Sequence, residues 1–261
     1  CKTLASYADY FVQDAFGTVH RRHASTFGIA QHLPSFPGQL LDKEINYFRQ
    51  ILDHPKRPFT AIIGGSKIST KFSVLERLLT VVDVMILGGA MVYTVLQAQG
   101  LSTGKSLVEP DLVDQARQFI EQAEAMGKTL YIPVDHQVVR GFDQVDTLTT
   151  IQSDQFQAEQ IGIDIGAQSI ADIEAFIDQS EMVFWNGPVG VFETPEYAVG
   201  TNAIAKKLAE SEAVTVVGGG DSIAALNQSG YINSIDHIST GGGASLEYLE
   251  GKLLPGIAVL T

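Results

Sequence analysis

Residues 59–243 contain six short runs of apolar residues, and each run ends in glycine or in small polar residues. The runs are FTAIIGG (59–65), VDVMILGGA (82–90), TLYIPVD (129–135), MVFWNGP (182–188), AVTVVGGGD (213–221) and HISTGGG (237–243). Continuous runs rich in Val and Ile are typical of strands that are covered on both faces, as in parallel sheets. The pattern therefore predicts six strands of one parallel sheet.

Helical periodicity occupies the intervals between these runs. The clearest pattern is PDLVDQARQFIEQAEAMG (110–127), with an apolar stripe between Pro110 at its start and Gly127 at its end. Further patterns lie in TKFSVLERLLTVV (70–82), SIADIEAFIDQ (169–179) and GTNAIAKKLAES (200–211). The alternation predicts an α/β fold of the doubly wound, Rossmann-like kind: a mostly parallel six-stranded sheet with helices on both faces. Ligands of such sheets bind at the carboxyl ends of the strands, where the glycines of this chain collect.

The segment before these runs has a different pattern. Residues 1–36 hold one strand-like piece, DYFVQDAF (9–16), and a basic cluster at 20–23. PGQLLDKEINYFRQILDHPKRP (37–58) predicts one helix, with proline near its start and beyond its end. Such a helix either joins two domains or is the first helix of one domain, and the pattern alone leaves both interpretations open.

The size and composition of the chain exclude several classes of protein. The chain of 261 residues fits one large domain or two modest ones, and its 45% apolar content suffices for a sizeable core. No apolar run approaches the ~20 residues that span a bilayer. The single cysteine, Cys1, excludes an internal disulfide framework and is typical of a reducing, cytoplasmic location. A net charge of −13 argues against nucleic acid as the main partner, because phosphate backbones attract basic surfaces.

One stretch, GLSTGKSLVEPD (100–111), contains the Gly-Lys-Ser of a phosphate-binding P-loop. A P-loop needs four residues between its first glycine and Gly-Lys-Ser, and Gln99 stands where that glycine should be. A helical pattern, MVYTVLQAQ (91–99), precedes the stretch where a buried strand is needed. We therefore predict no P-loop and interpret Gly104 as a glycine that ends a helix and Lys105 as a solvated side chain.

Four glycine-rich strand ends are stronger candidates for a site: GGSKISTK (64–71), GGA (88–90), GGGDS (218–222) and STGGGAS (239–245). Glycine lets the backbone approach a ligand closely, and N–H groups at a helix start favour anions. Asp221 stands where a helix should begin. Its carboxylate is either an N-cap or a ligand of Mg²⁺ that is held on phosphates, and both interpretations stay open.

Two lysines and one proline-containing loop lie next to these strand ends in the sequence. Lys67 and Lys71 are four residues apart, which predicts one shared helical face that can meet phosphate oxygens; solvated lysines are the alternative. In WNGPVGVFE, Asn186 and Pro188 form a stiff loop after a buried strand. Glu193 in the same loop either accepts hydrogen bonds from ribose hydroxyls or is solvated.

Two further stretches carry weaker signals. In IGIDIG, Gly162 and Gly166 resemble a turn that can flank a flat base. The basic cluster consists of His20, Arg21, Arg22 and His23. Zinc needs further Cys or His ligands, and none is apparent nearby. Anion binding suits arginine better, because its guanidinium meets carboxylate and phosphate with two parallel hydrogen bonds; a plain basic surface is the alternative.

Taken together, these motifs resemble the phosphoglycerate kinase family, and the resemblance covers nearly the whole chain. The matching stretches are DAFGTVHRRHAS, PGQLLDKEINYF, RPFTAIIGGSKIS, LGGAMVYT, GKSLVEPD, IGIDIG, VFWNGPVGVFE, VVGGGDS and HISTGGGASLEYLEGKLLPG. Three positions depart from the family pattern: Arg22 and Ser66, where alanine is usual, and Ser222, where threonine is common.

The resemblance implies two α/β domains joined by a long helix. Residues 1–36 would end the amino-terminal domain, 37–58 would form the interdomain helix, and 59–261 would form the nucleotide-binding domain, with its last residues returning toward the first domain. The implied reaction is the glycolytic phosphoryl transfer between 1,3-bisphosphoglycerate and ADP, which gives 3-phosphoglycerate and ATP and uses Mg²⁺. A cytoplasmic monomer without membrane or nucleic-acid partners is also implied.

The resemblance also implies roles for individual residues. Those expected to act on the transferring phosphoryl group are Lys67, Gly220 and Gly243, with Gly241 and Gly242 completing a nest of N–H groups. Those expected to bind 3-phosphoglycerate are His20, Arg21 and His23. The expected metal ligand is Asp221. The expected nucleotide contacts are Gly65, Lys71, Gly89, Gly162, Asn186, Pro188, Glu193, Gly219, Gly220, Asp221 and Ser222.

The same resemblance implies that most of the amino-terminal domain would precede Cys1, including an arginine that bridges the transferring phosphoryl group. On that expectation the chain alone is weakly active or inactive. Two alternatives stay open: a nucleotide-binding module without activity of its own, and another kinase that acts on a carboxylate.

Overall fold

The computed structural model describes residues 1–260. The strands are β1 (Phe11–Gln13), β2 (Ser35–Pro37), β3 (Phe59–Ile63), β4 (Val84–Leu87), β5 (Thr129–Tyr131), β6 (Asp135–Val139), β7 (Thr149–Gln152), β8 (Ile161–Ile165), β9 (Met182–Asn186), β10 (Val214–Gly218) and β11 (His237–Ser239). The α-helices are α1 (Lys2–Ala5), α2 (Gln39–Asp53), α3 (Phe72–Leu79), α4 (Met91–Ala98), α5 (Val113–Ala125), α6 (Ala167–Asp178), α7 (Val199–Glu210), α8 (Gly220–Ser229), α9 (Gly243–Leu249) and α10 (Pro255–Ala258).

Six of the strands form one parallel sheet in the order β11-β10-β9-β3-β4-β5. The six apolar runs of the sequence supply these six strands, which confirms the predicted α/β fold. In the register of the sheet, Ile63, Asn186, Gly218 and Ser239 lie side by side at the carboxyl ends of their strands. The glycine-rich segments that follow them therefore begin at one edge of the sheet.

Alternate strand residues face two separate cores, one on each side of the parallel sheet. Ile63 of β3 belongs to the same core as Leu75 of α3 and Phe119 of α5. Its neighbour Ile62 belongs to the other core, together with Ile204 of α7. Helices therefore cover both faces, which explains why the strand sequences are continuously apolar.

The predicted helical patterns form α3, α5, α6 and α7. In α5, Ala116, Phe119 and Ala123 of the predicted stripe are buried. Met126, the last residue of the stripe, is 39% exposed because the helix ends one residue before it. Within residues 1–260, no helix has both the length and the apolar character needed to cross a membrane.

A second sheet, which the sequence pattern did not predict, consists of three antiparallel strands in the order β7-β6-β8. Its strands DHQVV, TTIQ and IGIDI mix polar with apolar residues, so they lack the continuous runs that identified the parallel strands. The predicted turn at Gly162 and Gly166 is therefore wrong. Gly162 lies inside β8, and Gly166 is the N-cap of α6.

The segment before α2 packs against one of the two cores. Phe16 and Val19 are fully buried there, and the Phe16 ring stacks on Phe48 of α2 with centroids 5.8 Å apart. The Gly256 N–H donates to the Val19 carbonyl at 2.8 Å, so the chain returns to this segment after α9. β1 and β2 pair in parallel. The division into two domains and a joining helix stays a prediction.

Candidate functional site

The carboxyl ends of β3, β4 and β9 meet at one edge of the parallel sheet, where their backbones pass in close contact. The Gly64 N–H donates to the Asn186 carbonyl at 2.9 Å, and a Cβ at Gly64 would overlap the carbonyl oxygen of Pro188. A Cβ at Gly89, whose φ is +69°, would overlap the backbone of Gly65. Close approach of the strand ends therefore requires glycine at these positions.

Beside this edge lies a cleft of about 270 Å³, here named the glycine cleft. Its lining residues are Lys71, Asn186, Gly187, Gly219, Gly220, Asp221, Ser222, Gly242, Gly243 and Leu246. Both α8 and α9 begin at this cleft, at Gly220 and Gly243. Because the first N–H groups of a helix have no partner within the helix, the cleft presents donors suited to an anion.

Lys71 supplies the positive charge of the glycine cleft. Its Nζ donates to Oδ1 of Asn186, which is buried at the end of β9. Burial lowers the pKa of Lys71 to about 8, although the negative charge of Asp221 opposes that shift. Nδ2 of Asn186 is buried and has no hydrogen-bond partner among residues 1–260. The cleft therefore offers a partly buried ammonium and an unused amide donor to a ligand.

Asp221 is the second residue of α8, and its side chain is exposed. Gly219 holds the N-cap position with a φ of +94°, and no side chain caps this helix, so the N-cap interpretation of Asp221 is wrong. Ser222 faces inward, and its Oγ accepts a hydrogen bond from the Gly187 N–H at 2.6 Å. The metal interpretation of Asp221 stays a prediction.

Residues 1–260 contain no group of three or more His, Cys, Asp and Glu side chains that could hold a metal ion.

The basic cluster of the sequence lies beside the same cleft. Nε2 of His20 accepts a hydrogen bond from Nε of Arg21 at 3.1 Å and lies 3.6 Å from the position of a Cβ at Gly243. Nδ1 of His20 is buried without a partner in the described part of the chain. Arg21 and His23 are exposed. Tertiary structure thus brings His20 and Arg21 to the start of α9, from the other end of the sequence.

Lys67 and Lys71 do not share a helical face, so that prediction is wrong. Lys67 is extended, with φ −131° and ψ 125°, and precedes the short 3-10 turn Ile68–Thr70, whereas Lys71 follows this turn. Lys67 is exposed and is not among the residues that line the glycine cleft. Glu109 fixes the turn between them, because its carboxylate accepts hydrogen bonds from the N–H and the hydroxyl of Ser69 at 3.0 and 2.5 Å.

A buried acid–base pair holds the segment that leads into α9. Glu44 of α2 pairs with Nε2 of His237 at 2.9 Å and accepts hydrogen bonds from the N–H and the hydroxyl of Thr240 at 2.8 and 3.0 Å. The Tyr47 ring stacks on His237, with centroids 4.1 Å apart. Burial alone would raise the pKa of Glu44, but the hydrogen bonds from His237 and Thr240 outweigh it and lower that pKa. Sequence reasoning missed Glu44, whose only signal is an acidic residue within the apolar stripe of α2.

A second cavity, here named the apolar pocket, adjoins the glycine cleft and has a volume of about 290 Å³. Its lining residues are Gly65, Ser66, Gly89, Ala90, Tyr93, Leu107, Phe142, Ile161, Gly162, Ile163, Pro188, Val189, Gly190, Val191, Phe192, Glu193 and Asp221. Asp221 lines both cavities. The structure therefore brings six of the sequence-predicted site residues to this pocket: Gly65, Gly89, Gly162, Pro188, Glu193 and Asp221.

Most of the apolar side chains of this pocket were missed by sequence reasoning. Tyr93 comes from α4, Phe142 from the loop between β6 and β7, Ile163 from β8, and Phe192 from the loop after β9. These segments are distant from one another in sequence. Ile163 lies in the IGIDIG motif and Phe192 in the WNGPVGVFE motif, so a local signal existed for both. Phe142 lies in none of the motifs that indicated a site.

The Gly-Lys-Ser stretch supports the wall of the apolar pocket and is not a P-loop, because no helix begins there. Oγ of Ser106 accepts a hydrogen bond from the Gly162 N–H at 2.9 Å. Lys105 forms an exposed ion pair with Glu159, so it is solvated, as predicted. Gly104 does not end a helix, since α4 ends before it. Instead its φ of +58° lets the backbone pass close to the carbonyls of the 157–160 segment.

A buried carboxyl group lies behind the apolar pocket. Asp164 of β8 is 2% exposed, and its Oδ2 accepts a hydrogen bond from the Gly200 N–H near the start of α7 at 2.6 Å. Its Oδ1 has no partner among residues 1–260. Burial raises the pKa of Asp164 to about 7, although the N–H groups of Gly200 and Ile165 oppose that shift. This group therefore titrates close to neutral pH.

Comparison with known proteins identifies the family of this chain. A family model described as phosphoglycerate kinase matches residues 1–252. The chain is 49% identical to the phosphoglycerate kinases of Synechococcus sp. (strain JA-3-3Ab) and Leptospira biflexa serovar Patoc (strain Patoc 1 / Ames), over 100% of its own length. The chain belongs to the phosphoglycerate kinase family.

Solved structures of phosphoglycerate kinases have the same fold. The enzyme from Coxiella burnetii superposes with a TM-score of 0.95 at 41% identity, covering 99% of this chain and 67% of that one. The enzyme from Pyrococcus horikoshii OT3 superposes with a TM-score of 0.87 at 31% identity, covering 99% and 65%. The chain spans 64% and 66% of the length of the Synechococcus and Leptospira phosphoglycerate kinases.

The glycine cleft and the apolar pocket both lie within the residues that match the phosphoglycerate kinase family model. The glycine cleft presents N–H donors and the ammonium group of Lys71, and the apolar pocket presents apolar side chains. Together they suit a ligand with an anionic end and a flat apolar end.

Proposed function

We propose that this protein acts as a phosphoglycerate kinase, transferring a phosphoryl group reversibly from 1,3-bisphosphoglycerate to ADP to give 3-phosphoglycerate and ATP. The observation that carries this proposal is the junction of the glycine cleft with the apolar pocket at Asp221. A nucleotide has an apolar base and an anionic phosphate chain, so one nucleotide can occupy both cavities. The chain would thus supply the nucleotide side of the reaction.

The phosphates of the nucleotide would lie in the glycine cleft. Lys71 would donate to phosphate oxygens, and Nδ2 of Asn186 would find there the acceptor that it lacks among residues 1–260. The base would lie in the apolar pocket beside Gly162, and Glu193 would accept hydrogen bonds from the ribose hydroxyls. The remaining proposed contacts are Gly65, Gly89, Pro188, Gly219, Gly220, Asp221 and Ser222.

Asp221 would hold Mg²⁺ together with the nucleotide phosphates. Its carboxylate is exposed, has no hydrogen-bond partner in α8, and faces both cavities, which fits an ion that takes one or two protein carboxylates. When bound, the ion supplies positive charge that offsets the charge of the phosphate oxygens.

The substrate carboxylate and phosphate would bind at Arg21, His20 and His23, beside the start of α9. An oxygen of the ADP β-phosphate attacks the phosphorus of the acyl phosphate, while the bond from that phosphorus to the carboxyl oxygen breaks. N–H groups at Gly220, Gly242 and Gly243, together with Lys67, would stabilise the charge on the transferring group. The Gly241 N–H donates to Oγ of Ser239 at 3.3 Å and would support this nest from within the protein. Positioning and charge stabilisation then suffice, without a covalent enzyme intermediate.

Binding and turnover measurements on this chain test the proposal, with the full-length Coxiella burnetii enzyme as reference. We expect calorimetry to show binding of Mg-ADP and weak binding of 3-phosphoglycerate. In a coupled assay, transfer should be slower than in the reference by several orders of magnitude. The chain spans about two thirds of its relatives' length, and closure of two domains aligns the reactants and excludes water.

The outcomes separate the alternatives. A folded chain that does not bind Mg-ADP would overturn the proposal. Near-normal turnover by the chain alone would contradict the expectation that fast transfer needs closure of two domains. The two adjoining cavities are suited to binding a nucleotide and by themselves also fit a second candidate, a nucleotide-binding module without activity of its own. Binding without transfer, even after addition of the amino-terminal third of a relative, would support that candidate. Transfer to acetate but not to 3-phosphoglycerate would indicate another carboxylate kinase.

A monomeric state and a cytoplasmic location belong to the same proposal. The family resemblance supports both, and the exposed free thiol at Cys1 suits a reducing compartment such as the cytoplasm. Size-exclusion chromatography with light scattering tests the first, and a dimer would contradict it.

A further inference from the structure

Tyr197 lies between two of the segments that form the apolar pocket. It ends the short 3-10 turn Pro195–Tyr197, which follows the loop that supplies Pro188 and Glu193 to the pocket. Its side chain is 1% exposed, and its hydroxyl donates a hydrogen bond to the Phe142 carbonyl at 3.1 Å. Phe142 lines the pocket from the loop between β6 and β7. One buried hydroxyl therefore joins two segments of the pocket.

The ring of Tyr197 packs behind the apolar wall of this pocket. It forms a small buried cluster with Val139 and Ile163, and the half-buried Ile161 and Val191 pack against the same cluster. Three of these residues, Ile161, Ile163 and Val191, also line the pocket. Because the ring is held within this cluster, the position of its hydroxyl is set before a ligand binds.

The loop that carries Phe142 has few other links to the rest of the protein. The Phe142 side chain is 60% exposed, so its own packing does little to hold it. Within residues 1–260, the other hydrogen bonds of residues 141–147 stay inside the β6–β7 hairpin, such as the one from the Gln144 N–H to the Gly141 carbonyl at 3.0 Å. The bond from Tyr197 therefore ties this loop to a segment outside the hairpin.

Negative charges oppose the contact between the two segments. Glu196 precedes Tyr197, Asp143 and Asp146 lie in the facing loop, and all three acidic side chains are exposed. Burial, followed by the charges of Glu196, Asp143 and Asp146, raises the pKa of Tyr197, so the hydroxyl keeps its proton and donates. The hydrogen bond thus holds together two segments whose like charges repel each other.

We propose that Tyr197 is a positioning residue whose hydroxyl holds Phe142 against the apolar pocket, so that its ring is in place before a flat base binds. This inference rests on the proposed nucleotide-binding function. Tyr197 is not among the lining residues, so it acts on the ligand only through Phe142 and its loop. A loop that is ordered in advance loses less conformational entropy on binding, which strengthens the binding of the base.

Tyr197→Phe tests the inference, because it removes one oxygen and keeps the ring in its cluster. The dissociation constants of adenosine, Mg-ADP and inorganic tripolyphosphate would be measured by calorimetry for the wild type and the variant. We expect adenosine and Mg-ADP to bind about 2- to 10-fold more weakly, the usual net effect of one hydrogen bond. Tripolyphosphate, which has no base, should bind as before.

A double variant shows whether Tyr197 acts through Phe142. Once Phe142→Ala has removed the aromatic ring, adding Tyr197→Phe should cause no further loss of adenosine affinity. Tyr131→Phe is the matched control, because the Tyr131 hydroxyl donates to Asp172 at 2.7 Å outside the pocket. It should leave all three dissociation constants unchanged.

Three results would overturn the inference while leaving the proposed function intact. They are an unchanged adenosine affinity in Tyr197→Phe, an equal loss of tripolyphosphate affinity, and a loss in the Phe142→Ala background as large as in the wild type. A wild-type chain that binds neither Mg-ADP nor tripolyphosphate would overturn both.

Discussion

The glycine cleft and the apolar pocket adjoin at Asp221, yet they are built in different ways. The cleft is formed mainly by backbone, with the starts of α8 and α9 as its walls and Lys71 as its cation. The pocket is formed by side chains from α4, β8 and the loops after β6 and β9. Backbone N–H groups bind charge, whereas side chains define a shape. Substitutions in the two cavities should therefore weaken the binding of different parts of one ligand.

Lys71→Ala should produce the largest separation between the two cavities. Loss of a charged hydrogen bond should weaken Mg-ADP binding by about 1.5–3 kcal/mol, whereas adenosine, which lacks phosphates, should bind unchanged. Calorimetry measures both, and Lys105→Ala, which removes only an exposed ion pair with Glu159, is the control. Equal losses for Mg-ADP and adenosine would mean that Lys71 maintains the shape of both cavities.

Asp221→Asn tests whether the residue shared by both cavities binds a metal. We expect Mg-ADP affinity to fall about 10-fold with Mg²⁺ present, which is the order of one charged contact, and to change little in EDTA. Isothermal titrations under the two conditions measure this, with the exposed Glu212→Gln as control. The same loss under both conditions would exclude Asp221 from a metal site.

Asp164 provides a contrast with Asp221, because it is a carboxyl group buried behind the pocket instead of exposed at its mouth. Its pKa is about 7 in the folded protein and about 4 in an unfolded chain, so the folded state binds the proton more tightly. The stability that this group contributes is complete below pH 4 and is lost as the pH rises to 7, by on the order of 1–4 kcal/mol.

Asp164→Asn should remove this pH dependence. Urea unfolding of the wild type and of Asp164→Asn would be measured between pH 4 and pH 8. The difference between their unfolding free energies should change as the pH rises through this range. The exposed Asp154→Asn should give no such shift. Parallel profiles for the wild type and Asp164→Asn would contradict the raised pKa.

Phe142→Ala should have the smallest effect and should affect only the apolar pocket. Because Phe142 is 60% exposed, stability should hardly change. Loss of its proposed contact with the base should weaken binding by about 0.5–1.5 kcal/mol. Adenosine and Mg-ADP should lose affinity equally, and tripolyphosphate should bind as before. Leu253→Ala, at a residue that is 82% exposed and outside both cavities, is the control. Selective loss of tripolyphosphate binding would contradict the assignment of the two cavities.

Sequence patterns predicted the parallel sheet well and the antiparallel sheet not at all. A parallel strand such as Phe59–Ile63 is buried on both faces, so every residue is apolar or nearly so and the run is visible in isolation. A strand such as Ile161–Ile165 is also almost wholly buried, but Gly162 and Asp164 interrupt its apolar residues, so no continuous run marks it. The buried carboxylate of Asp164 accepts a hydrogen bond from the Gly200 N–H of α7, a partner that is distant in sequence. The formation of the antiparallel sheet therefore depends on pairing between segments that are distant in sequence.

The sequence by itself determined the α/β class, the edge of the sheet where glycines collect, and the resemblance to phosphoglycerate kinases. These features are local, because a glycine required by a close backbone approach, such as Gly64 or Gly89, can be recognised within one strand end. Only the tertiary structure brought His20 to Gly243, tied Glu44 to His237, and assembled the apolar pocket. Those arrangements depend on contacts between segments that are far apart in the chain, and a one-dimensional pattern does not encode contacts of that kind.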